Sequence, residues 1–365
     1  MANVGKGGTM QIKEFKQKLK LLNGAVSTKD FLPILTNIMF DGQYMTTYND
    51  MVGIRTTCDF PVEGAIKYKL LQNYINNSKE SDSVSCDVSG TDILIKVGKS
   101  RFNFPYMSKD KFLFTFPSDY TSLPHTFLNH KFFDALEYNL LSISNNPHSP
   151  EYMGVTLEWD GDCRLNMYST DGESITKTTV IGVDCLGNSK LILPLQFCNI
   201  LKEFSGMSDL VGIYLSEGKF IIADFGEFQV FSKLLGVEAM DIESVISMFR
   251  TAMSTAPSLD ISDDIVDAFG RASVLGDSVI CKVTTEKDTI KFDTSVQKVG
   301  EISEDINVIG KMFSKETFNV NVGLVTKAIN KFGKITFTSK ATVMETINTD
   351  GSIPFIYLAA NSGEV

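Results

Sequence analysis

Apolar residues recur along the chain at two spacings, and the same order of spacings comes three times. Three stretches place them three or four residues apart, which is typical of an amphipathic helix with one buried stripe. These stripes are Ile12, Phe15, Leu19 and Leu22; Phe133, Leu136 and Leu140; and Ile265, Phe269, Ala272 and Leu275. Ser262, followed by Asp263 and Asp264, predicts an N-cap and an acidic first turn for the third of these helices.

Segments in which apolar and polar residues alternate follow each helix and predict paired strands. Alternation around an Asp-Gly or Glu-Lys-Asp turn is typical of a hairpin. The first hairpins are NIMFDGQYMTTYND, GVTLEWDGDCRLNMYSTDG and VICKVTTEKDTIKFDT. A second helix is predicted after each, in AIKYKLLQNYINNS, PLQFCNILKEFSG and NVGLVTKAINKFG. Each second helix leads into a further hairpin: DILIKVGKSRFNF, KFIIADFGEFQVF and ATVMETINTDGSIPFIYL.

The threefold repeat predicts an α+β fold of three like domains, residues 1–121, 122–255 and 256–365. In each domain two helices pack on an antiparallel sheet, because a helix with one apolar stripe must bury it and a sheet needs cover on one face. The Pro-, Ser- and Thr-containing stretches Ser118–Pro124 and Ser254–Ser258 are the predicted linkers.

Composition narrows the class of protein. Of the 365 residues 43% are hydrophobic and 21% charged, as in soluble globular proteins, and neither a membrane span nor an apolar export signal is evident. Six widely spaced cysteines without CxxC pairing fit free thiols in a reducing cytoplasm, so we predict no metal and no cofactor. A net charge of −10 requires that any nucleic-acid surface be a local basic stripe on an acidic body.

Five segments, in order, resemble the bacterial β sliding clamp of DNA polymerase III: FLPILTNIMFDG at 31–42, GKSRFNF at 98–104, YSTDGES at 168–174, DFGEFQVFSKLL at 224–235 and AFGRASVL at 268–275. The resemblance covers nearly the whole chain. It implies a head-to-tail homodimeric ring around double-stranded DNA, with helices lining the hole. It also implies a processivity factor rather than an enzyme. The implied partners are a DNA polymerase, a clamp loader and, further, ligase and repair polymerases, all at the replication fork.

Cations on the helices would then face phosphates without reading bases, as sliding requires. The predicted DNA-facing residues are Lys13, Lys16, Lys20, Lys67, Lys202, Arg271, Lys327 and Lys331. We place Lys334 on the sixth helix as well. The alternative is that these cations only face solvent. Asp134 and Glu137 in the second domain weaken the basic lining there, so DNA contacts are expected to concentrate in the first and third domains.

The resemblance also implies a groove between the second and third domains that captures apolar and acidic partner peptides, and the alternative is that its residues only pack in the core. Its predicted residues are Met153, Thr170, Gly172, Ile175, Met240, Val245, Ile356 and Leu358. Basic, imidazole and proline positions of the family are replaced here, by Glu173, Ser174, Ser244 and Ala359. The groove therefore keeps an apolar floor and loses its cationic rim, and a divergent clamp from a bacterial virus is one hypothesis for this.

The predicted seam between two copies joins the end of the first domain to the third domain of the partner. Its residues are Lys99, Arg101, Phe102, Phe104, Val274, Leu275, Glu301 and Glu304, with Asp305 beside them. Apolar groups would pack on both sides, and complementary charge would fix the register.

An enzyme is the main alternative. The three histidines have no metal-ligand spacing, and the glycine-rich stretch Gly5–Thr9 lacks the spacing of a phosphate-binding loop. Asp171 could serve as a catalytic acid, but Asp-Gly after an alternating run is typical of a turn. A clamp-like scaffold that does not encircle DNA is the other alternative.

Overall fold

The computed structural model describes residues 8–29, 32–160, 163–186, 190–216, 218–256, 258–276, 278–308, 310–346 and 355–361. Of the sequence predictions, Gly5–Gly7, Phe31 and the turn of the last hairpin, 347–354, lie outside these ranges. Within them the α-helices are α1 (Ile12–Leu22), α2 (Tyr68–Asn76), α3 (His130–Asn139), α4 (Leu195–Phe204), α5 (Ile242–Thr255), α6 (Asp263–Ser273) and α7 (Val322–Thr326).

The strands alternate with these helices along the chain. They are β1 (Thr9–Gln11), β2 (Asn37–Asp41), β3 (Tyr44–Tyr48), β4 (Val52–Thr57), β5 (Glu63–Lys67), β6 (Ser83–Ser89), β7 (Asp92–Val97), β8 (Ser100–Pro105), β9 (His125–Leu128), β10 (Gly154–Trp159), β11 (Arg164–Thr170), β12 (Ser174–Ile181), β13 (Lys190–Pro194), β14 (Val211–Ser216), β15 (Phe220–Asp224), β16 (Phe228–Lys233), β17 (Ser258–Asp260), β18 (Ile280–Lys287), β19 (Thr289–Val296), β20 (Gly300–Asn307), β21 (Phe313–Asn321), β22 (Lys334–Phe337), β23 (Ala341–Thr346) and β24 (Phe355–Ala360).

The chain divides into two compact units, and each contains one long and one short antiparallel sheet. Unit 1 comprises Met1–Asn129 and Asn199–Leu234. Its sheets have the orders β5-β2-β3-β4-β16-β15-β14-β9 and β1-β6-β7-β8. Unit 2 comprises His130–Cys198 and Leu235–Val365. Its sheets have the orders β13-β10-β11-β12-β24-β23-β22-β17 and β20-β19-β18-β21. The mixed helix-and-sheet fold class is confirmed, whereas the three domain boundaries stay a prediction.

The predicted helix stripes form the cores. In α1 the stripe from Ile12 to Leu22 is buried, and the Phe15 ring meets the Phe60 ring edge-on with centroids 5.5 Å apart. The α2 residue Tyr68 donates its hydroxyl to the backbone carbonyl of Leu19 at 2.5 Å, which joins the two helices. The two strands of each of the six predicted hairpins pair with each other in the described residues. Ser262 caps α6 as predicted, since its Oγ accepts from the backbone N–H of Ile265.

The prediction of the sixth helix is wrong in its length. The sixth predicted helix is only α7, which ends at Thr326, so Lys327 follows it, Lys331 ends a 3₁₀ turn and Lys334 begins β22. The Thr326 hydroxyl donates to the carbonyls of Val322 and Gly323, and such local bonds, with β-branched neighbours, weaken a helix.

The second predicted linker is wrong in part, because α5 takes its first two residues and β17 begins at its last. Helix α5 runs to Thr255, and Ser258 already begins β17. Asp241 accepts from the backbone N–H of Ser244 at 3.1 Å and so caps the helix start. This helix was not predicted, although its cap and apolar spacing are visible in the sequence.

Candidate functional site

Helix α1, the end of strand β5 and helix α4 present cations of the predicted DNA-facing set in unit 1. Lys13 and Lys20 are exposed on α1, and Lys16 is half-buried, with its Nζ 2.9 Å from the carbonyl oxygen of Ser78. Lys67, the last residue of β5, is exposed and donates to the Thr36 hydroxyl at 3.0 Å. Lys202 is exposed in the last turn of α4. These side chains are long enough and sufficiently exposed to solvent to contact phosphates.

Lys18 on the same helix differs from its neighbours because it is buried. Its Nζ lies 2.7 Å from Glu227, 3.3 Å from Glu14 and 3.0 Å from the carbonyl oxygen of Thr57. Burial lowers the pKa of the Lys18 ammonium, but the two carboxylates outweigh burial and hold it above its usual value. Lys18 therefore ties α1 into unit 1 and is not a free cation.

Three predicted cations of unit 2 are already paired with carboxylates of the chain. Arg271 is bound by Glu304 through two hydrogen bonds of 3.0 and 2.5 Å. The ion pairs of the two lysines are Lys327–Asp171 at 3.1 Å and Lys331–Glu137 at 2.9 Å. A phosphate would have to compete with these carboxylates, so the basic character of unit 2 is weaker than its residue count implies.

The Thr-Asp-Gly motif is a tight turn between β11 and β12. The Asp171 carboxylate accepts from the backbone N–H groups of Glu173 and Ser174, and Thr170 accepts from the N–H of Gly172 at 3.1 Å. Burial would raise the pKa of Asp171, but the Ser174 hydrogen bonds and Lys327 outweigh burial and hold it below its usual value. An ionised, fully engaged carboxylate builds the turn, which agrees with the turn interpretation of this motif.

Four of the predicted groove residues meet in one apolar cluster of unit 2. Ile175, Met240, Ile356 and Leu358 pack there, and we call these four the groove floor. Strand pairing explains their meeting, because Ile175 of β12 lies opposite Leu358 of β24 and Ile356 lies opposite Lys177. The other four predicted residues lie outside this cluster: Thr170 and Gly172 in the turn, Met153 before β10, and Val245 on α5.

Helix α5 packs on this floor. Ile242 and Ile246 are buried in the same cluster, with Phe249 and Met253 partly buried beside them. Glu243 on α5 accepts from Lys177 Nζ at 2.5 Å and from the Tyr168 hydroxyl at 3.2 Å, and it also binds Arg250. These contacts were not predicted. The spacing of the four apolar α5 residues indicates a buried helix face but not the strands on which it packs.

A cavity of about 720 Å³ opens in unit 2 beside α5. Trp159, Tyr168, Met253 and Ile356 supply its apolar lining. Its charged lining consists of Glu158, Asp160, Arg164, Lys177, Asp241, Glu243, Arg250 and Glu345. A mixed apolar and charged lining of this size suits a segment of polypeptide better than a small apolar ligand.

The predicted seam residues of unit 1 lie on β8, an edge strand of its short sheet, and directly before it. Phe102 is 40% exposed and lies 4.2 Å from Phe104, centroid to centroid. Lys99 and Arg101 beside it are exposed. Phe104 is buried in unit 1, so its ring packs against Phe102 and has no surface left for a partner chain.

The seam residues of unit 2 lie on the edge strand β20 and just after α6. Val274 is 81% exposed and Leu275 is half-buried. Glu301 is exposed on β20, whereas Glu304 is engaged by Arg271. Each short sheet thus ends in a strand whose outer backbone groups have no partner strand in the described sheets.

Among the described residues no group of three or more His, Cys, Asp or Glu side chains could hold a metal ion. Cys58, Cys86, Cys198 and Cys281 are buried, and burial raises the pKa of the Cys58 and Cys198 thiols to about 12. None of the helices in the described ranges has both the length and the apolar character of a membrane span.

Comparison with known proteins identifies solved structures that have the same fold. No protein-family model and no curated protein matches the sequence. Among solved structures, the DNA polymerase III subunit beta of Pseudomonas aeruginosa is similar with a TM-score of 0.82 at 19% identity, over 97% of this chain and 99% of that one. The DNA polymerase sliding clamp of Bacillus subtilis gives 0.83 at 15%, and a β sliding clamp of C. crescentus 0.84 at 16%, each over 98% of this chain and 99% of the other. The chain has the fold of these clamps.

Proposed function

We propose that the chain is a DNA sliding clamp: two copies joined head to tail close a ring around duplex DNA and tether a polymerase to it. The observation that carries the proposal is the similarity to sliding clamps over the whole length of both chains. In this role the protein binds and positions its partners, and we assign it no catalytic step.

The two open sheet edges support the ring. An edge strand with unpaired backbone groups tends to pair with another chain. Pairing β8 of one copy with β20 of the next would join two four-stranded sheets into one, with Phe102 and Leu275 at the joint. A contact between two different edges is heterologous and closes into a ring when the rotation allows it.

The helix cations support a sequence-independent grip on DNA. Lys13, Lys16 and Lys20 share one flank of α1, three and four residues apart. Long, mobile ammonium groups attract phosphates without fixing a register, which permits sliding. The polymerase, the clamp loader, ligase and repair polymerases would bind at the groove floor in unit 2.

One observation favours a second candidate, a clamp-like scaffold that does not encircle DNA. Arg271, Lys327 and Lys331 are neutralised by carboxylates of the same chain, which weakens the attraction for phosphates in unit 2. The two candidates differ in a topological property, since only a ring is trapped on circular DNA.

Retention on circular DNA tests the proposed function. The protein is loaded onto a nicked circular plasmid by a clamp-loader complex with ATP, and the mixture is gel-filtered at high salt. We expect co-elution with the circle and release when a restriction enzyme linearises it, because a ring slides off a free end. A dimeric protein that elutes apart from both templates would support the scaffold instead.

Replacing Lys16 and Lys20 with alanine is expected to weaken the salt dependence of binding to a short duplex. Each phosphate contact contributes about 0.9 to the slope of log K against log salt, so losing two lowers the slope by about 2. Fluorescence anisotropy from low to moderate salt measures it. The matched control replaces two exposed hairpin lysines, Lys219 and Lys340, and should leave the slope unchanged. Equal slopes for the two double variants would remove α1 from the DNA-facing surface.

A further inference from the structure

A second cavity, of about 350 Å³, lies in unit 1 between the long sheet and the segment that joins β8 to β9. This segment packs on the sheet: Phe112 and Phe116 are buried, and the Phe114 ring stacks on the Tyr48 ring with centroids 4.2 Å apart. We call this space the Arg55 cavity, after the cation in its wall. None of the residues that line it belongs to the predicted DNA-facing, groove or seam sets.

The chain itself holds the side chain of Arg55 in position. Its Nε donates to the side-chain oxygen of Gln229 at 3.0 Å. Its guanidinium carbon lies 3.9 Å from the ring centre of Phe116 and 4.5 Å from that of Tyr44, as in cation–π contacts. Gln229 is fixed in turn, because its amide nitrogen donates to Asp224 at 3.2 Å. The half-buried guanidinium is therefore positioned without a ligand.

Arg55 and its neighbour Thr46 have donors to spare. Within the described residues Arg55 makes only the hydrogen bond from Nε, and no carboxylate oxygen lies within 4.0 Å of its guanidinium. Strand pairing sets Thr46 of β3 opposite Arg55, so both side chains lie on one sheet face. Thr46 is 2% exposed and lines the cavity, and in the described part of the chain its hydroxyl has no hydrogen-bond partner. A guanidinium with two free N–H edges suits a carboxylate, which it binds through parallel hydrogen bonds.

The other charges of the lining favour a ligand with a single negative charge. Asp41 and Asp110 contribute carboxylates to the wall. The ammonium of Lys109, also in the wall, is paired with Glu63 at 2.7 Å. A dianion such as a phosphate monoester would therefore be repelled by two carboxylates, whereas a monocarboxylate can place its one charge against Arg55.

The rest of the wall is apolar. Met39 contributes to it from the sheet, and Phe112, Phe114 and Phe116 contribute from the segment that crosses the sheet. Ligand pockets usually have volumes of about 300–1,000 Å³, so this cavity is at the small end of that range. Its size suits a small molecule or one terminal residue of a polypeptide rather than a longer segment.

We infer that the Arg55 cavity binds a monocarboxylate with an apolar body. The carboxylate is bound by Arg55 and Thr46, and the apolar body lies against the phenylalanine rings of the wall. Two sources share this chemistry, a free carboxylic acid and the C-terminal residue of a polypeptide. The inference goes beyond the proposed clamp function and does not depend on it.

Isothermal titration calorimetry with the full-length chain tests the inference, with 3-phenylpropionate as the probe and 3-phenylpropionamide as its neutral counterpart. The carboxylate should bind at least about tenfold more tightly than the amide, because only the carboxylate forms charge-assisted hydrogen bonds with Arg55. Phenyl phosphate should bind more weakly than 3-phenylpropionate. N-acetylated Ala-Ala-Phe and its C-terminal amide separate the sources. Binding of the tripeptide acid assigns the site to a polypeptide C-terminus, and binding of 3-phenylpropionate alone assigns it to a free acid.

Two variants test whether the probe binds in this cavity. Arg55→Gln removes the charge and should weaken binding of 3-phenylpropionate by about tenfold or more. Thr46→Val removes only the hydroxyl and should weaken it severalfold. Thr57→Val is the matched control, because it is the same change at an exposed position of β4 outside the cavity, and it should bind as the unchanged chain does. Near-ultraviolet circular dichroism reports whether each variant is folded.

Three results would overturn the inference. They are equal or undetectable binding of 3-phenylpropionate and its amide, tighter binding of phenyl phosphate, and unchanged affinity in folded Arg55→Gln and Thr46→Val. If Arg55→Gln is unfolded, Thr46→Val decides together with the comparison of acid and amide. Plasmid retention of the same samples shows separately whether the clamp proposal holds.

Discussion

Replacing Phe102 and Leu275 together with alanine is expected to convert the proposed dimer into monomers. Phe102 is 40% exposed on the edge strand β8, and Leu275 is half-buried after α6, so each has apolar surface left for a partner chain. Burying such a side chain contributes about 1.5–3 kcal/mol. A head-to-tail ring of two copies contains two identical seams, so this stabilising free energy is lost at both seams.

Solution mass measures this result. The unchanged chain should have twice the 40.4 kDa of one chain, and the double variant should have that of one chain, in sedimentation from micromolar to nanomolar concentration. The matched control, Leu113→Ala with Met312→Ala, removes two exposed apolar side chains away from the seam and should remain dimeric. A double variant that stays dimeric at nanomolar concentration would falsify the seam. The monomer should also be lost from circular DNA.

Replacing Phe15 with alanine is expected to lower the free energy of unfolding by about 3–5 kcal/mol, the usual cost of truncating a buried phenylalanine. Phe15 is fully buried between α1 and the sheets of unit 1, and it loses its edge contact with Phe60. The same side chain holds the helix that carries Lys13, Lys16 and Lys20. DNA affinity should therefore fall together with stability.

Denaturant unfolding, monitored by circular dichroism, measures the shift in midpoint and slope. Lys13→Ala on the exposed face of the same helix is the control, and an exposed change of this kind should stay within about 0.5 kcal/mol. If Phe15→Ala unfolds at the same midpoint as Lys13→Ala, the α1 core contact does not stabilise unit 1.

The repeating pattern of the sequence predicted the fold well where local and tertiary preferences agree. The stripe of α1 and the Ser262 cap of α6 need only neighbouring residues, and both are present. Helix α7 is shorter than predicted because side-chain hydrogen bonds from Thr326 compete with the backbone near its end. Apolar spacing alone contains no information on that competition.

The candidate site was less accessible to sequence reasoning because its contacts join distant residues. The partners Lys331 and Glu137 are separated by 194 positions, and Arg271 and Glu304 by 33. Counting cations along helices therefore overestimates the free positive charge of unit 2. The cover that α5 gives to the groove floor likewise depends on which sheet face the helix meets, and no local pattern specifies that face.

The two open edges also determine how copies can join. Lys99 directly precedes β8 and Arg101 lies on it, whereas β20 carries Glu301, Glu304 and Asp305. Two β8 strands, or two β20 strands, would oppose like charges, which disfavours their pairing. Unlike edges attract, so the charges favour one direction of assembly, and closing the proposed ring would remove β8 and β20 from the open edges at which further chains could pair and form fibrils.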